Sequence, residues 1–361
     1  MPDRRELFRQ LGGAAAGTLL SAALGRFATA LESTGPRIKI GQIGVGHAHA
    51  SKLSVYRASD DYEVVGIVEP NAELRARAEQ DETFRGLPWM TREQLLNVPG
   101  LQVVLVETEV RDLLPTAQAC IDAGKHVHLD KPAGQSLPDY RRLLAAAAKQ
   151  QLLVQMGYMY RYNPGVILLR DFLKQGWLGE PFEVHTVMSK VVPPASRVGL
   201  AEFPGGIMFE LGCHVTDLVI GVLGAPASVT PYKRHSAKAD DALVDNMLAV
   251  LEYPQALATV KSTALEVDGG ARRHFVVCGT EGTFHIQPLD DPAARVALSQ
   301  PRDSYRRGYQ DVTFPEFARY VADAADMAAI IRGSKPSDFP YQHDLDVQTT
   351  LLQACGLPVE G

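Results

Sequence analysis

The chain is poor in cysteine, and none of it is paired. Cys120, Cys213, Cys278 and Cys355 are far apart in 361 residues and form no CxxC element, which excludes a zinc knuckle and a dense disulfide framework. They are expected to be reduced, mostly buried thiols. The ten histidines include no HExxH pair, so a zinc hydrolase is not expected, nor is any metal-ligand set. No basic block stands outside the extreme N-terminus and the formal net charge is −6, a balance without the footprint that a nucleic-acid backbone requires. No internal repeat or low-complexity stretch interrupts the chain.

What is present fills two ordinary domains behind a leader, with 46% of residues hydrophobic. Arg4-Arg5 precede a mild apolar run, Leu11 to Gly25, and then Ala28-Thr29-Ala30. Basic, apolar and small-residue regions in that order are the layout of an export signal, and the run is too short and glycine-rich for a membrane anchor. The arginine pair resembles a twin-arginine signal over residues 1–30, although Asp3 precedes it and Leu7-Phe8 inverts the commoner order. An amphipathic helix lying on the protein is the plainer alternative.

Residues 37–157 alternate strand-like and helix-like runs. Arg37 to Gly46 is a β-rich run entering a glycine turn. Asp61 to Glu69 is a second strand stopped by Pro70, Leu101 to Val106 is a nearly continuous apolar strand, and residues 125–129 form another. Helices are expected over Glu73–Asp81, Pro115–Ala123 and Tyr140–Lys149, and a further strand at Leu152. This is βα alternation around a parallel sheet. From residue 158 to 361 the texture changes. A helix over residues 165–175 precedes strand-like runs at 182–189, 247–253, 256–262 and 275–279 joined by longer loops, which predicts a mainly antiparallel sheet with helices on one face. Its other face calls for a second copy of the chain, as a homodimer or homotetramer. Helices are expected over Glu316–Arg332 and Asp344–Cys355.

Four groups of residues can carry chemistry. Gly44-Val45-Gly46 after a strand fits a dinucleotide turn: the first glycine permits the bend and the second lets backbone approach a pyrophosphate, while the third position is His49 instead of Gly or Ala. Glu69, ending the second strand, can accept both hydroxyls of an adenosine ribose and repels a 2′-phosphate, which favours NAD over NADP; the bland role is a loop acid or cap. Lys131 stands at the C-terminal end of a parallel strand, where a lysine can bind a substrate hydroxyl, although spacing alone makes a surface salt bridge the better reading. Glu210 and His214 are four apart, so a helix presents them to one side with Asp217 a turn further on. An imidazole there is suited to removing a hydroxyl proton, or is a packed core histidine. His47 and His49 either contact a phosphate or cap the turn. Glu107, Glu109 and Arg111 either line a polar pocket or form a solvated ion cluster.

The glycine turn, Ala123-Gly124-Lys125-His126-Val127-His128-Leu129-Asp130-Lys131-Pro132, Arg161-Tyr162-Asn163-Pro164, Gly205 to Asp217 and Gly279-Thr280-Glu281-Gly282 together resemble the glucose-fructose oxidoreductase and inositol dehydrogenase (Gfo/Idh/MocA) family, in the family's order over about residues 37–357. The resemblance implies an α/β fold: a Rossmann domain binding NAD or NADP over 37–157, then an α+β domain over 158–361 with a large open sheet, whose last helix returns to the first domain. It also implies that Lys131 and His214 are the substrate-binding lysine and catalytic histidine, and that Glu210 stands at a catalytic-site aspartate. Arg161, Asn163 and Asp217 are expected beside the substrate, a carbohydrate or polyol. Two departures are evident: Asp130 shortens the usual Glu-Lys-Pro acid, and Glu107-Thr108-Glu109 replaces a Thr-Pro motif near the nicotinamide. A noncatalytic sugar- or nucleotide-sensing protein is the alternative on the same fold.

Overall fold

The computed structural model describes residues 35–359, so the export signal expected over residues 1–30 lies outside them. The N-terminal sheet contains β1 (Ile38–Ile43), β2 (Tyr62–Val68), β3 (Leu101–Val106), β4 (His126–Leu129) and β5 (Val154–Met156), all parallel, in the order β2-β1-β3-β4-β5. Chain order reverses between β1 and β3, the place where open parallel sheets open a ligand crevice beyond their C-terminal ends. Helices α1 (Leu53–Ala58), α2 (Ala72–Ala78), α3 (Arg92–Leu96), α4 (Leu113–Asp122) and α5 (Leu137–Lys149) connect the strands. β3 is buried at every position except Gln102, as a central strand covered on both faces must be.

Strand register positions the site. Ile43 pairs with Val68 and Val106, Val106 with Leu129, and Leu129 with Met156. The next residue of each strand therefore falls in one row: Gly44, Glu69, Glu107, Asp130 and Gly157. Residues far apart in sequence become neighbours because parallel strands leave the sheet at the same edge.

Beyond α6 (Pro164–Lys174), β6 (Pro181–Val187) enters a second sheet with β7 (Ser228–Arg234), β8 (Asn246–Glu252), β9 (Leu257–Thr263), β10 (His274–Gly279), β11 (Gly282–Ile286), β12 (Ala293–Leu298) and β13 (Gly308–Thr313). The order is β13-β12-β11-β10-β6-β9-β8-β7, antiparallel except for the β6–β9 pair. Helix α7 (Pro194–Ala201), a π-helical turn (Met208–Gly212) and α8 (Cys213–Leu223) follow β6, and the short α9 (Gly269–Arg272) precedes β10. The π turn and α8 pack on one face of the sheet. The register sets Tyr232, Leu257 and Tyr309 on the opposite, open face, each more than half exposed.

The chain ends with α10 (Val321–Ile331) and α11 (Tyr341–Ala354). The single helix expected over Glu316–Arg332 is shorter at its start. Tyr320 adopts a left-handed backbone (φ 68°), which an α-helix cannot contain, and residues 314–320 are irregular. Ala324, Met327 and Ala328 of α10 join a core cluster with Ile38, Ile40, Tyr56 and Tyr62, and the Tyr62 hydroxyl donates to Ala324 O at 2.7 Å. All four cysteines are free thiols, three buried and Cys278 half-buried. No helix among the described residues is long and apolar enough to cross a membrane.

Candidate active site

The glycine turn is set by close contacts, closed to any side chain at Gly44 and tight at Gly46. Gly44 has φ +93°, and a Cβ there would lie 2.4 Å from Thr108 N; at Gly46 it would press on Leu74 at 3.1 Å and Glu109 at 3.3 Å. Gln42 Nε2 donates to Gly44 O (2.9 Å) and Ala50 O (3.3 Å), pinning the turn from inside the strand. Glu69 closes it from the β2 side, accepting Val45 N–H on Oε2 and Asn71 N–H on Oε1, both at 2.9 Å. His49, at the third position of the motif, is accommodated by starting the helix as a 3-10 turn over Ala50–Lys52 before α1.

Asp130 is the hub of a buried cluster. Oδ2 lies 2.8 Å from His47 Nδ1 and 3.1 Å from Lys52 Nζ; Oδ1 lies 3.2 Å from His49 Nδ1 and accepts Lys131 N–H at 2.7 Å. Lys52 Nζ also stands 3.0 Å from Glu107 Oε1 and from His128 Nε2. Burial raises the carboxyl of Asp130, but Lys52, His47 and His49 outweigh it and hold Asp130 well below the usual range. Glu107 moves the other way: burial and the neighbouring Asp130 push it well up, against Lys52. His128 is pushed down to about 3 by burial and Lys52, and His49 down to about 4 by burial, which Asp130 offsets in part. No metal-ligand set was expected, yet His47, His49 and Asp130 bring ligand atoms within 4.8 Å of one another.

Lys131 leaves the same strand toward the second domain. Its Nζ donates to Glu210 O (3.0 Å) and Glu210 Oε1 (3.2 Å), an ion pair with the lysine fully buried. Although burial disfavours both charges, the pair raises Lys131 and lowers Glu210, so both remain ionised. Glu210 lies in the π turn rather than an α-helix, and His214 follows in the first turn of α8. The His214 ring is 5.4 Å from Tyr160, 6.0 Å from His49 and 6.3 Å from Tyr158, centroid to centroid. Burial, Lys131 and His49 keep it well below an ordinary histidine, hence neutral, and its Nδ1 has no hydrogen-bond partner.

The crevice thus gathers Gly44 to Gly46, His47, His49, Glu107, Lys131, Glu210 and His214. The other three expected residues are engaged elsewhere. Arg161 Nη2 contacts Asp217 Oδ1 and Asp344 Oδ1, both at 2.6 Å, while His343 Nε2 lies 3.0 Å from Asp217 Oδ1 and Phe339 stacks 4.1 Å from the guanidinium. Asp217, one turn beyond His214, faces this network and α11. Asn163 caps α6, its Oδ1 accepting Gly165 N–H (2.8 Å) and Val166 N–H (3.3 Å) while Nδ2 donates to Leu289 O. These three serve as joints between elements. Glu109 and Arg111 pair with each other at the exposed rim, the solvated-cluster alternative.

Residues 38–158 match the model of the oxidoreductase family with an NAD-binding Rossmann fold, and residues 166–285 match the GFO/IDH/MocA C-terminal domain. The chain belongs to the Gfo/Idh/MocA family. Inositol 2-dehydrogenase of Salmonella typhimurium is 25% identical over 270 residues, spanning 74% of this chain and 79% of its own. The scyllo-inositol 2-dehydrogenase (NADP(+)) IolW of Bacillus subtilis is 25% identical over 281 residues, 74% of each chain. Levoglucosan dehydrogenase, solved with NADH and levoglucosan, shares the fold with a TM-score of 0.75 at 18% identity, over 88% of this chain and 96% of that one. This Gfo/Idh/MocA member is therefore a nicotinamide-dependent oxidoreductase. Its residues fit the cofactor: the turn at Gly44 is packed so closely on the end of β3 that only glycine passes, which sets the loop at the sheet's C-terminal edge, and Glu69 stands at the end of β2 where a ribose diol would meet it.

Sequence reasoning overlooked Lys52, Gln42 and the tyrosines around His214. Lys52 reads as a solvated helix lysine, but it is 1% exposed. Its i, i+4 relation to Tyr56, on the helix side that also carries Leu53, was the available signal.

Proposed function

We propose that the protein is an exported NAD-dependent dehydrogenase acting on a hydroxyl of a sugar, polyol or sugar derivative. The observation that carries this reading is the Lys131–Glu210 pair beside a neutral His214 with a free Nδ1, all at the C-terminal edge of the parallel sheet. When bound, the nicotinamide supplies the acceptor for the carbinol hydride. His214 takes the hydroxyl proton on a ring lone pair: its imidazole is neutral, and in the tautomer protonated at Nε2 the unpartnered Nδ1 carries that lone pair. Lys131 donates to the same oxygen and stabilises negative charge as it develops there. Glu210 fixes the Lys131 ammonium through two contacts. Glu69 supports NAD over NADP, since a carboxylate that closes the turn repels a 2′-phosphate.

The twin-arginine-like segment supports export with the cofactor retained, and a retained cofactor is reset by a second carbonyl compound or by the same sugar after elimination or hydrolysis. The open face carrying Tyr232, Leu257 and Tyr309 supports a homodimer or homotetramer. The test is release of NAD(H) from denatured, purified protein, followed by a sugar and polyol panel with NAD and NADP. Stoichiometric nucleotide with turnover sensitive to His214→Ala is the expected result. Saturable sugar binding without cofactor reduction sinks the dehydrogenase reading and favours a sensor.

A further inference from the structure

Several buried groups remain outside this chemistry, and the cluster around Asp130 is the most demanding of them. His47 Nδ1 is approached by two groups at once: the His49 N–H at 3.3 Å and Asp130 Oδ2 at 2.8 Å. The first contact requires an unprotonated Nδ1, and an unprotonated Nδ1 facing a carboxylate oxygen is two acceptors held together. Placing the proton on Nδ1 instead sets it against the His49 N–H, two donors face to face. A cation bound through the Nδ1 lone pair would satisfy the 2.8 Å carboxylate contact and displace the longer 3.3 Å approach of the His49 N–H.

A further carboxyl group stands beside these three: Glu107 and Asp130 are both fully buried, with the Lys52 ammonium between them. Lys52 Nζ stands 3.0 Å from Glu107 Oε1 as an ion pair, and neither oxygen of Glu107 has a well-directed hydrogen-bond partner. Glu107 Oε2 is 3.9 Å from His47 Nδ1, within a side-chain rotation of the cluster.

We propose that His47, His49 and Asp130 form a binding site for a single divalent transition-metal ion, built on the glycine turn and the end of β4. With metal–nitrogen and metal–oxygen bonds of about 2.0–2.2 Å, neighbouring ligand atoms stand roughly 2.8–3.6 Å apart in octahedral or tetrahedral sites. The nitrogen-to-carboxylate distances here, 2.8 and 3.2 Å, lie at that spacing. Two imidazoles with one carboxylate select borderline metals such as zinc, cobalt or iron(II) over magnesium or calcium, whose sites are all oxygen. Glu107 stands ready as a fourth ligand. Remaining positions open on the His49 side, the one ligand of the three with appreciable exposure, toward the His214 ring. The ion would then stand beside the substrate crevice as well as beneath the turn. This assignment goes beyond the dehydrogenase reading and does not depend on it.

The test uses the full chain without an affinity tag. Metal content is measured by plasma mass spectrometry on protein purified without chelator. Stripped protein is then titrated with Zn2+ and with Co2+ by calorimetry and visible absorption. About one ion per chain is expected, with cobalt ligand-field bands, and His47→Gln and His49→Gln should each lower affinity by about 100-fold or more. Glutamine retains a hydrogen bond to Asp130 and so keeps the fold, which circular dichroism checks. Should either histidine variant fail to fold, Glu107→Gln provides the second route, with an expected loss of about 10-fold. His185→Ala, on the second sheet, should leave affinity unchanged. Absence of Zn2+ and Co2+ binding, or binding indifferent to His47, His49 and Glu107, overturns the proposal; intact NAD binding in the same protein shows that the dehydrogenase reading survives that outcome.

Discussion

Two buried ion clusters flank the crevice, and they are finished to different degrees. Around Arg161, charge is closed on itself: Asp217 and Asp344 take the guanidinium, His343 takes the remaining side of Asp217, and Phe339 covers the plane. Around Asp130 and His214 it is left open, with Glu107 lacking a well-directed hydrogen bond and His214 Nδ1 facing no partner. Burial costs both clusters alike, so the difference lies in what each has left to offer. A closed network holds elements together, while an open one keeps atoms available for a ligand.

The sharpest way to break that comparison is on the open side. His214→Ala and Lys131→Ala should each lower kcat/KM for an oxidised sugar or polyol by about 10^3-fold, in keeping with loss of a general base or a charge-stabilising donor, and Lys131→Ala should also lose stability because it leaves the Glu210 carboxylate without its buried partner. A large stability loss with little kinetic effect would reverse the roles assigned to the clusters. On the closed side, Asp217→Ala leaves a buried guanidinium short of one carboxylate and should cost about 3–5 kcal/mol in denaturant unfolding. If Asp217→Ala instead abolished substrate binding in a fully stable protein, the aspartate would belong to the crevice.

Asp323, on α10 beneath the open cluster, allows a test by pH. Burial pushes its carboxyl up to about 7, with Lys52 opposing, and its Oδ1 has no hydrogen-bond partner. An acid raised in the folded state stays protonated there while the unfolded chain, near 4, has already ionised. Its contribution to stability is full below about pH 4 and is lost as pH rises to about 7. Asp323→Asn should therefore flatten the melting temperature across that window and exceed the wild type above it, and unchanged curvature would place the titration elsewhere. The smallest effect concerns the cofactor: Glu69→Ser should narrow the preference for NAD over NADP by about 10-fold, roughly 1.4 kcal/mol, read from the two Kd values.

Much of this was legible in the chain. Leu101 to Val106 announced a covered parallel strand, Gly44-Val45-Gly46 a tight glycine turn, and Lys131 its place at the ligand edge. The register that seats Glu107 beside Asp130 was not legible, because parallel neighbours are distant in sequence and no local spacing records them. His49 and Asp130 meet across 81 positions. The contacts of Arg161, Asn163 and Asp217 were not legible for a related reason: their residue types suit a substrate as well as they suit a guanidinium network or a helix cap, and their partners Asp344, His343 and Leu289 lie far off in sequence. The break at Tyr320 likewise depends on a left-handed backbone that its neighbours in sequence do not require.

The contact between Tyr62 and Ala324 also orders events in time. The rings of Tyr56 and Tyr62, made early in synthesis, take part of their cover from Ala324, Met327 and Ala328 of α10, and the Tyr62 hydroxyl bonds across 262 positions. Until α10 is made, that part of the first domain's core has no cover from it. A stop codon just after β13 would leave both sheets encoded in full and the first of them short of one packing helix.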